Sequence, residues 1–520
     1  NNALPTQQDT IISYYTYPVG SSLFIYFFTT IVGFSEGSML VGQFFLIASS
    51  LYAMFAALRD DRRVLMVSMI FASFAVFNTF NVAIRLNNLL VDFLLPALAL
   101  AAIAGCFVYR NRFWFLSLNT AVILGLLSIV KVSGLFFVAL VLVVYVVCIV
   151  RLLVRKRARL KALVLLIMTL LVSCLPFVIW QKHVTDNFPN ASSAKHAVSM
   201  SELGQVLTGN LSGDPQKIIT LFVKSVFTFD SLASNGILII NLIMLIAFIV
   251  IGIRLKYKKF VLLTWGFVDI SIVTYYIGIL LMYLTAMPTD EALELAGFER
   301  YASSIVIFAF GCLTMALAWV MDKCLYEKII SKRNARSYKS LFNKHLYQYA
   351  SLVLTVYAIG MFLSENNSIV YNNNQETNKV VKEIHQFTGS QSNSSTDRIL
   401  VVTADKENVD NYFVQYASRY YLWDVNVDAR ENFVSVDQEF LDLMASYSDS
   451  ATSYYLGNEN IDTRDGSNLT DDDFIALLKT YDEVLILDDH YTFNALTKKL
   501  FGRTYSPGLY KVSDILAGKG

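Results

Sequence analysis

The chain has 520 residues, 55% of them hydrophobic and only 16% charged, with a mean hydropathy of +0.49 and a formal charge of +1. That composition excludes an ordinary soluble domain, and the near-zero charge excludes a nucleic-acid surface driven by bulk basicity.

A bilayer core of about 30 Å takes roughly twenty apolar residues per helix. The first apolar segment, Pro18 to Phe34, is about seventeen residues long, at the lower limit for a span. It reads either as a crossing or as a re-entrant or surface-lying helix. Runs long enough to cross follow at 39–58, 64–83, 89–109, 113–130, 132–154, 162–180, 237–253, 260–286, 304–322 and 349–364. The expected fold class is therefore a polytopic α-helical membrane protein of about ten transmembrane helices. The five cysteines (Cys106, Cys148, Cys174, Cys312, Cys324) lie in or beside these runs without paired spacing. They read as small buried hydrophobes and not as a disulfide or zinc framework.

Three connections are strongly basic: Arg151 to Lys161, Arg254 to Lys259 and Lys323 to Lys344. Cytoplasmic loops collect Lys and Arg. With all three inside, alternate crossing sends the remaining polar features to the outer face. These are Asp92, Lys131, the long loop 181–236, the loop 287–303 and everything after Glu365. Asp92 opens an apolar run, where a carboxylate is a functional candidate by default. Lys131 interrupts GLLSIVKVSGLFFVAL, either as a snorkelling side chain or as a cation for a phosphate near headgroup level. Trp180, with Lys182 and His183 behind it, begins the long outer loop and reads as an interfacial anchor. His183 and His196 have no acid or cysteine at metal spacing, so no metal is assigned to them. Glu299, Arg300 and Tyr301 stand at a helix start, where Glu299 also complements the helix dipole. Asp269 is an intramembrane acid with no evident partner in the sequence.

From Asn366 the composition changes to a polar linker and then to alternating strand and helix patterns. Strands are expected at 398–404, 423–427, 452–456, 483–488 and 509–512, and helices at 408–422, 437–447, 470–481 and 491–501. Thr470 and Asp473 form a capping-box-like start. The alternation implies a small, mainly parallel α/β domain. It contains no glycine-rich phosphate-binding pattern, so no nucleotide site is expected there. The division is 1–364 for the membrane module, 365–396 for the linker and 397–520 for an extracytoplasmic α/β domain.

Several stretches resemble the bacterial integral-membrane glycosyltransferases of the GT-C superfamily. TYPVG (Thr16 to Gly20) followed by SSLFIYFF resembles the Y-P-P-G-x-x-L-F-x-Y-F segment, with Val19 in place of the second proline. LLVDFLLPALAL, IVKVSGLFF, and WQKHVTDNF with AKHAVS are similar to further stretches in family order. So is YYIGILLMYLTAMPTDEALELAGFERYASS, and it and the WQKHVTDNF with AKHAVS stretch are similar to segments of Gram-positive members. The resemblance implies transfer of a sugar from a polyprenyl-phosphate donor to an acceptor on the outer face of the cell membrane. The acceptor would be a cell-envelope polysaccharide, teichoic acid or protein. It implies Asp92 as catalytic carboxylate or ligand of a divalent cation, which some members use and others do not. Tyr17, Lys131, His183, His196, Glu299, Arg300 and Tyr301 would be substrate-binding. The family's proposed catalytic base lies in an acidic motif before the N-x-A-L-P stretch, seen here as Asn1 to Pro5. That base has no position in this sequence, and Asp9 does not replace it. The rival readings are a transporter or flippase of envelope lipids, for which no internal repeat is visible, and a non-catalytic assembly protein.

Overall fold

The structure is a computed structural model. It describes residues 4, 16–58, 63–80, 84, 88–156, 159–188, 214–228, 230–254, 257–324, 338, 340–373, 377–388, 397–422, 424, 426–435 and 469–518. The chain divides into two compact units, Asn1–Ser364 and Glu365–Gly520.

The regular elements of the first unit among its described residues are helices. Its helices are α1 (Gly20–Val32), α2 (Glu36–Tyr52), α3 (Val64–Thr79), α4 (Leu94–Tyr109), α5 (Phe113–Ser128), α6 (Gly134–Lys156) and α7 (Arg159–Asn187). They continue with α8 (Asp214–Phe227), α9 (Leu232–Ala247), α10 (Lys258–Thr285), α11 (Thr289–Leu293), α12 (Phe298–Cys324) and α13 (Leu341–Asn373), the last running on into the second unit. A 3₁₀ stretch, Ala53–Ala57, extends α2, and a π-helical stretch, Phe248–Arg254, extends α9.

Seven helices among the described residues are long and apolar enough to cross a bilayer: Glu36–Ala57, Gly134–Val154, Leu160–Asn187, Leu232–Ile253, Lys258–Thr285, Phe298–Met321 and Leu341–Tyr371. The runs expected at 64–83, 89–109 and 113–130 fold as helices of only 16 residues each. The apolar residues that lengthened two of these runs, Phe80 and Leu89 to Val91, lie in turns and not in helix. Pro18 to Phe34 yields a helix of 13 residues, about 20 Å long at 1.5 Å per residue, short of a full crossing.

Helix α4 explains the packing of this unit. Every residue from Leu94 to Cys106 is buried, and a helix that is apolar all round belongs in the middle of a bundle. Small residues permit the close approach: Gly311 of α12 abuts Leu100, and Gly105 leaves the room that Asn119 of α5 fills. Polar contacts tie neighbouring helices inside the apolar mass, as where the Tyr145 hydroxyl on α6 meets Ser117 of α5 (2.8 Å) and Thr169 of α7 (2.9 Å). Asp269 on α10 is partnered after all, by Asn241 of α9 and by Trp265, and Trp265 Nε1 donates to Asn241 Oδ1 at 2.8 Å. Of the cysteines, Cys106 and Cys312 are buried as expected, but Cys174 is exposed on α7.

The second unit carries α14 (Thr377–Thr388), β1 (Ile399–Val402), α15 (Lys406–Asp410), α16 (Phe413–Leu422), β2 (Val427–Arg430), α17 (Asp471–Leu478), β3 (Glu483–Ile486), α18 (Tyr491–Phe501), β4 (Gly508–Lys511) and α19 (Val512–Leu516). The sheet order is β2-β1-β3-β4. β1 pairs parallel with β2 and β3, in register at Ile399 with Val427 and Glu483, while β4 runs antiparallel to β3. All four residues of β1 are buried, as a central strand covered on both faces requires. Leu400, Val402, Val484 and Ile486 pack with Phe474, Phe493 and Leu496 on one face. Ile399, Val401 and Leu485 pack with Ile384, Val414 and Leu422 on the other.

Two expectations for this unit shift. The strand at 423–427 moves to Val427–Arg430, because α16 runs to Leu422 and Asp424 closes it, its N–H donating to Arg419 O at 3.2 Å. The helix at 408–422 breaks into α15 and α16 at Tyr412, whose φ is +63°. The strand at 452–456 and the helix at 437–447 lie outside the described residues. The Thr470 cap is present in full, each of Thr470 and Asp473 bonding the other's backbone N–H.

Candidate functional site

Three connections meet at one end of the helical unit: residues 88–93 before α4, 129–133 between α5 and α6, and 286–297 between α10 and α12. With the turn before α1 they bound an open cleft of about 990 Å³. Tyr17, Asp92, Lys131, Glu299, Arg300 and Tyr301 all line it, so six residues picked out along 285 positions of sequence converge on one cavity.

Two glycines make the convergence possible. The Gly20 N–H donates to Ile129 O at 2.7 Å, and a Cβ at Gly20 would stand 2.8 Å from that same oxygen. A Cβ at Gly134 would stand 2.6 Å from Leu127 O. Any side chain at either position meets backbone, which cannot swing aside. These are the glycines of TYPVG and IVKVSG, and their closeness holds the α1 entry against the turn that carries Lys131. That turn is closed by Gly134 N–H donating to Lys131 O at 2.8 Å. Trp180 supports it from behind: it is buried, packs near Val19 and Ile129, and donates through Nε1 to Thr16 O at 3.4 Å. The interfacial-anchor expectation for Trp180 is therefore corrected, since its ring braces the Thr16–Gly20 turn.

Asp92 is only 2% exposed. Its Oδ1 accepts from Lys131 Nζ at 2.7 Å, and its Oδ2 lies 3.6 Å from Arg300 Nε. Ser304, one turn into α12 from Arg300, donates to the Asp92 carbonyl at 3.0 Å and fixes the backbone from which the carboxylate projects. Asp92 thus stands as the common counter-ion of two cations and not as an open carboxylate at the cleft surface. A buried charge is tolerable only when paired in this way. The cations keep contact with the cavity: the side chains of Lys131 and Arg300 are 22% and 32% exposed. Arg300 Nη2 donates to Tyr301 Oη at 2.7 Å, and both cations lie near the Tyr301 ring, Arg300 Cζ 4.8 Å and Lys131 Nζ 5.0 Å from its centre. An ammonium has three N–H donors and a guanidinium five. One carboxylate and one phenol leave several of them to address an oxyanion in the cleft.

Glu299 has another task. Its carboxylate accepts from Leu232 N–H (3.1 Å) and Ala233 N–H (3.4 Å), capping the start of α9, where a negative charge complements unpaired backbone donors. The segment ahead of it is conformationally demanding: Leu295 has φ +51° and Gly297 φ +74°. A bulky residue in the left-handed region is disfavoured, and Tyr283 Oη donating to Ala296 O at 2.9 Å holds the segment there.

His183 does not join the cleft. It stacks on Trp180, with ring centres 5.3 Å apart, and its Nδ1 meets Asn187 Nδ2 at 3.3 Å. His196 lies outside the described residues. Glu291 on α11 and Ser304 belong to the site or its support and were not singled out from the sequence. Glu291 stood in the quoted TDEALELAGFERY stretch, where its helical position beside the cleft had no sequence signature. Among the described residues no group of three or more His, Cys, Asp or Glu could hold a metal ion. Asp92 is also a poor ligand for a divalent cation, since Lys131 and Arg300 already approach both its oxygens. No known protein family, curated protein or solved structure matches the chain.

Proposed function

We propose that the protein is an integral-membrane glycosyltransferase that takes a sugar from a polyprenyl-phosphate donor at this cleft and passes it to a cell-envelope acceptor. The observation that carries the reading is the pair Lys131 and Arg300, turned on a single buried carboxylate at the wall of a cavity in a chain with many apolar helices. The donor's phosphate is the leaving group. As the acceptor oxygen forms its bond to the anomeric carbon, the carbon–oxygen bond to phosphate breaks and its electron pair stays on the phosphate. Preorganised cations stabilise that charge as it develops. The acceptor's proton passes to Glu291, a carboxylate lining the cleft, because Asp92 is held between two cations. Asp92 contributes most by holding the two cations in place.

Sidedness is supported by the order of connections. The cleft is built from the α3–α4, α5–α6 and α10–α12 connections. The basic clusters fall in the α6–α7, α9–α10 and α12–α13 connections, at the other end of successive helices. By the positive-inside rule the cleft then faces away from the cytoplasm, where nucleotide sugars are absent and a lipid-borne donor is needed. On that reading all ten apolar runs cross the membrane, the 16-residue helices among them, and the C-terminal α/β unit is extracytoplasmic.

The test is sugar transfer by the reconstituted full chain from a polyprenyl-phosphate-linked radiolabelled sugar to an envelope-polysaccharide acceptor. Lys131→Ala and Arg300→Ala should each lower kcat/KM for the donor by about 1.5–3 kcal/mol, the range for a hydrogen bond to a charged group. The double variant should lose less than the sum. Unchanged donor kinetics in both single variants would overturn the assignment, and donor translocation without transfer would favour a flippase.

A further inference from the structure

Helix α16 has two opposite stripes. Val414, Ser418 and Leu422, spaced by four, are buried on the sheet side. Tyr412, Tyr416 and Tyr420, also spaced by four, point the other way and are 60%, 52% and 37% exposed. Among the described residues from Thr377 onward, these three are the only large apolar side chains left exposed. Exposed apolar groups scattered singly need no explanation, but a concentrated patch marks an interaction surface.

Tyr412 sharpens the point. It has φ +63° and supplies the first carbonyl of α16, accepting from Tyr416 N–H at 3.0 Å. A left-handed residue is normally Gly or Asn, and a helix N-cap is normally Ser, Thr, Asp or Asn. A tyrosine there violates both preferences, and its ring lies mostly in solvent. Its ring meets that of Tyr416, centres 6.4 Å apart, within the same exposed stripe, and local rules broken at the surface in this way point to function.

We infer that this tyrosine face docks on the headgroup region of the bilayer. Tyrosine suits that zone because its ring is apolar and its hydroxyl wet, and membrane proteins concentrate it there. Arg419, next to this stripe, is turned back onto β2, its Nε donating to Val427 O at 2.8 Å and its Nη2 lying 3.5 Å from Asp428 Oδ1, so the face itself is made of tyrosine rings and hydroxyls. The chain supplies proximity: the apolar helix stretch Leu341–Tyr371 ends six residues before α14 of this unit. A covalent tether converts weak surface affinity into occupancy through effective concentration. The inference does not depend on the glycosyltransferase reading.

The test uses the full chain in nanodiscs holding one copy. An environment-sensitive fluorescent amino acid replaces Tyr416 or, as a control, Asp472, which is exposed on α17 across the sheet. Lipids carrying a quencher at headgroup depth should remove at least half the emission at position 416 and leave that at 472 nearly unchanged. Adding Tyr412→Ser and Tyr420→Ser should abolish the difference. Quenching at neither position or equally at both overturns the inference and assigns the face to another occupant, such as a glycan or a second copy. Quenching at 416 that survives loss of the other two tyrosines also overturns it, because the tether alone would then be responsible.

Discussion

At the carboxyl ends of β1 and β3, where open parallel sheets commonly seat ligands, the polar groups of the C-terminal unit are closed on one another. Asp488 accepts from Thr403 Oγ1 at 2.6 Å and from Ala404 N–H at 2.8 Å. His490 bonds Glu431 O through Nε2 at 2.9 Å and accepts from Phe493 N–H at 3.3 Å. In the cleft of the helical unit the balance is reversed. Two cations with eight N–H donors between them share one buried carboxylate and a phenol, and both border open space. Carboxylates and basic side chains therefore close a fold in one region and border an open cleft in the other. What separates the two is the surplus of donors over protein acceptors, not the presence of charged residues.

The largest way to break the comparison is to remove the carboxylate that holds the cations. Asp92→Ala leaves Lys131 and Arg300 without their counter-ion, and breaking a buried pair costs about 3–5 kcal/mol. Because both cations are partly exposed, the expected loss lies at the lower end, about 3 kcal/mol, read as a fall in the unfolding midpoint in detergent. A midpoint equal to wild type would mean that the triad does not organise this end of the bundle.

A smaller effect is expected at Gly20, where the new Cβ of Gly20→Ala would crowd the Ile129 carbonyl. Overpacking of this kind costs about 1–3 kcal/mol. Donor use should fall with stability, since the same contact aligns the Lys131 turn. Full activity with unchanged stability would show that the α1 entry does not support the site.

The smallest effect at neutral pH belongs to the C-terminal unit. Burial pushes the His490 imidazole below its ordinary value, against the smaller opposing pull of Asp488. A histidine held neutral in the fold contributes stability that is complete above the unfolded value, about 6.5. The contribution is lost as pH falls from there through the folded value. Protection at β1 and β3, taken relative to the intrinsic exchange rate at each pH, should therefore fall below about pH 6.5, and His490→Asn, which keeps a capping side chain, should flatten that dependence. The same slope in wild type and variant would assign the acid sensitivity to other groups.

Much of this architecture is legible in the sequence because it is local. Apolar runs, the change of composition after Asn366, the RILVVTA and EVLILD strands and the Thr470 cap each depend on residues a few positions apart. Helix ends within apolar sequence are not legible in that way: Leu89 and Leu90 are as apolar as the helix they precede, yet they sit in the turn beside the cleft. Within the site, helix starts pointed to Asp92 and Arg300, and a cation interrupting an apolar run pointed to Lys131. Alternate crossing sent them to one face, but their direct contact was not readable, because Asp92 lies 39 residues from Lys131 and farther still from Arg300. A carboxylate at a helix mouth also looks the same in sequence whether open or paired. Glu299 illustrates the reverse case: it lines the cleft, but its oxygens cap a helix that starts 67 residues earlier.

The most direct measurement is equilibrium binding of a polyprenyl phosphate and of the matching polyprenol to the full chain in nanodiscs. The account predicts that the phosphate binds at least tenfold more tightly than the alcohol, and that Lys131→Ala together with Arg300→Ala removes this preference while leaving polyprenol binding unchanged. Equal affinity for phosphate and alcohol in the wild-type chain would contradict it.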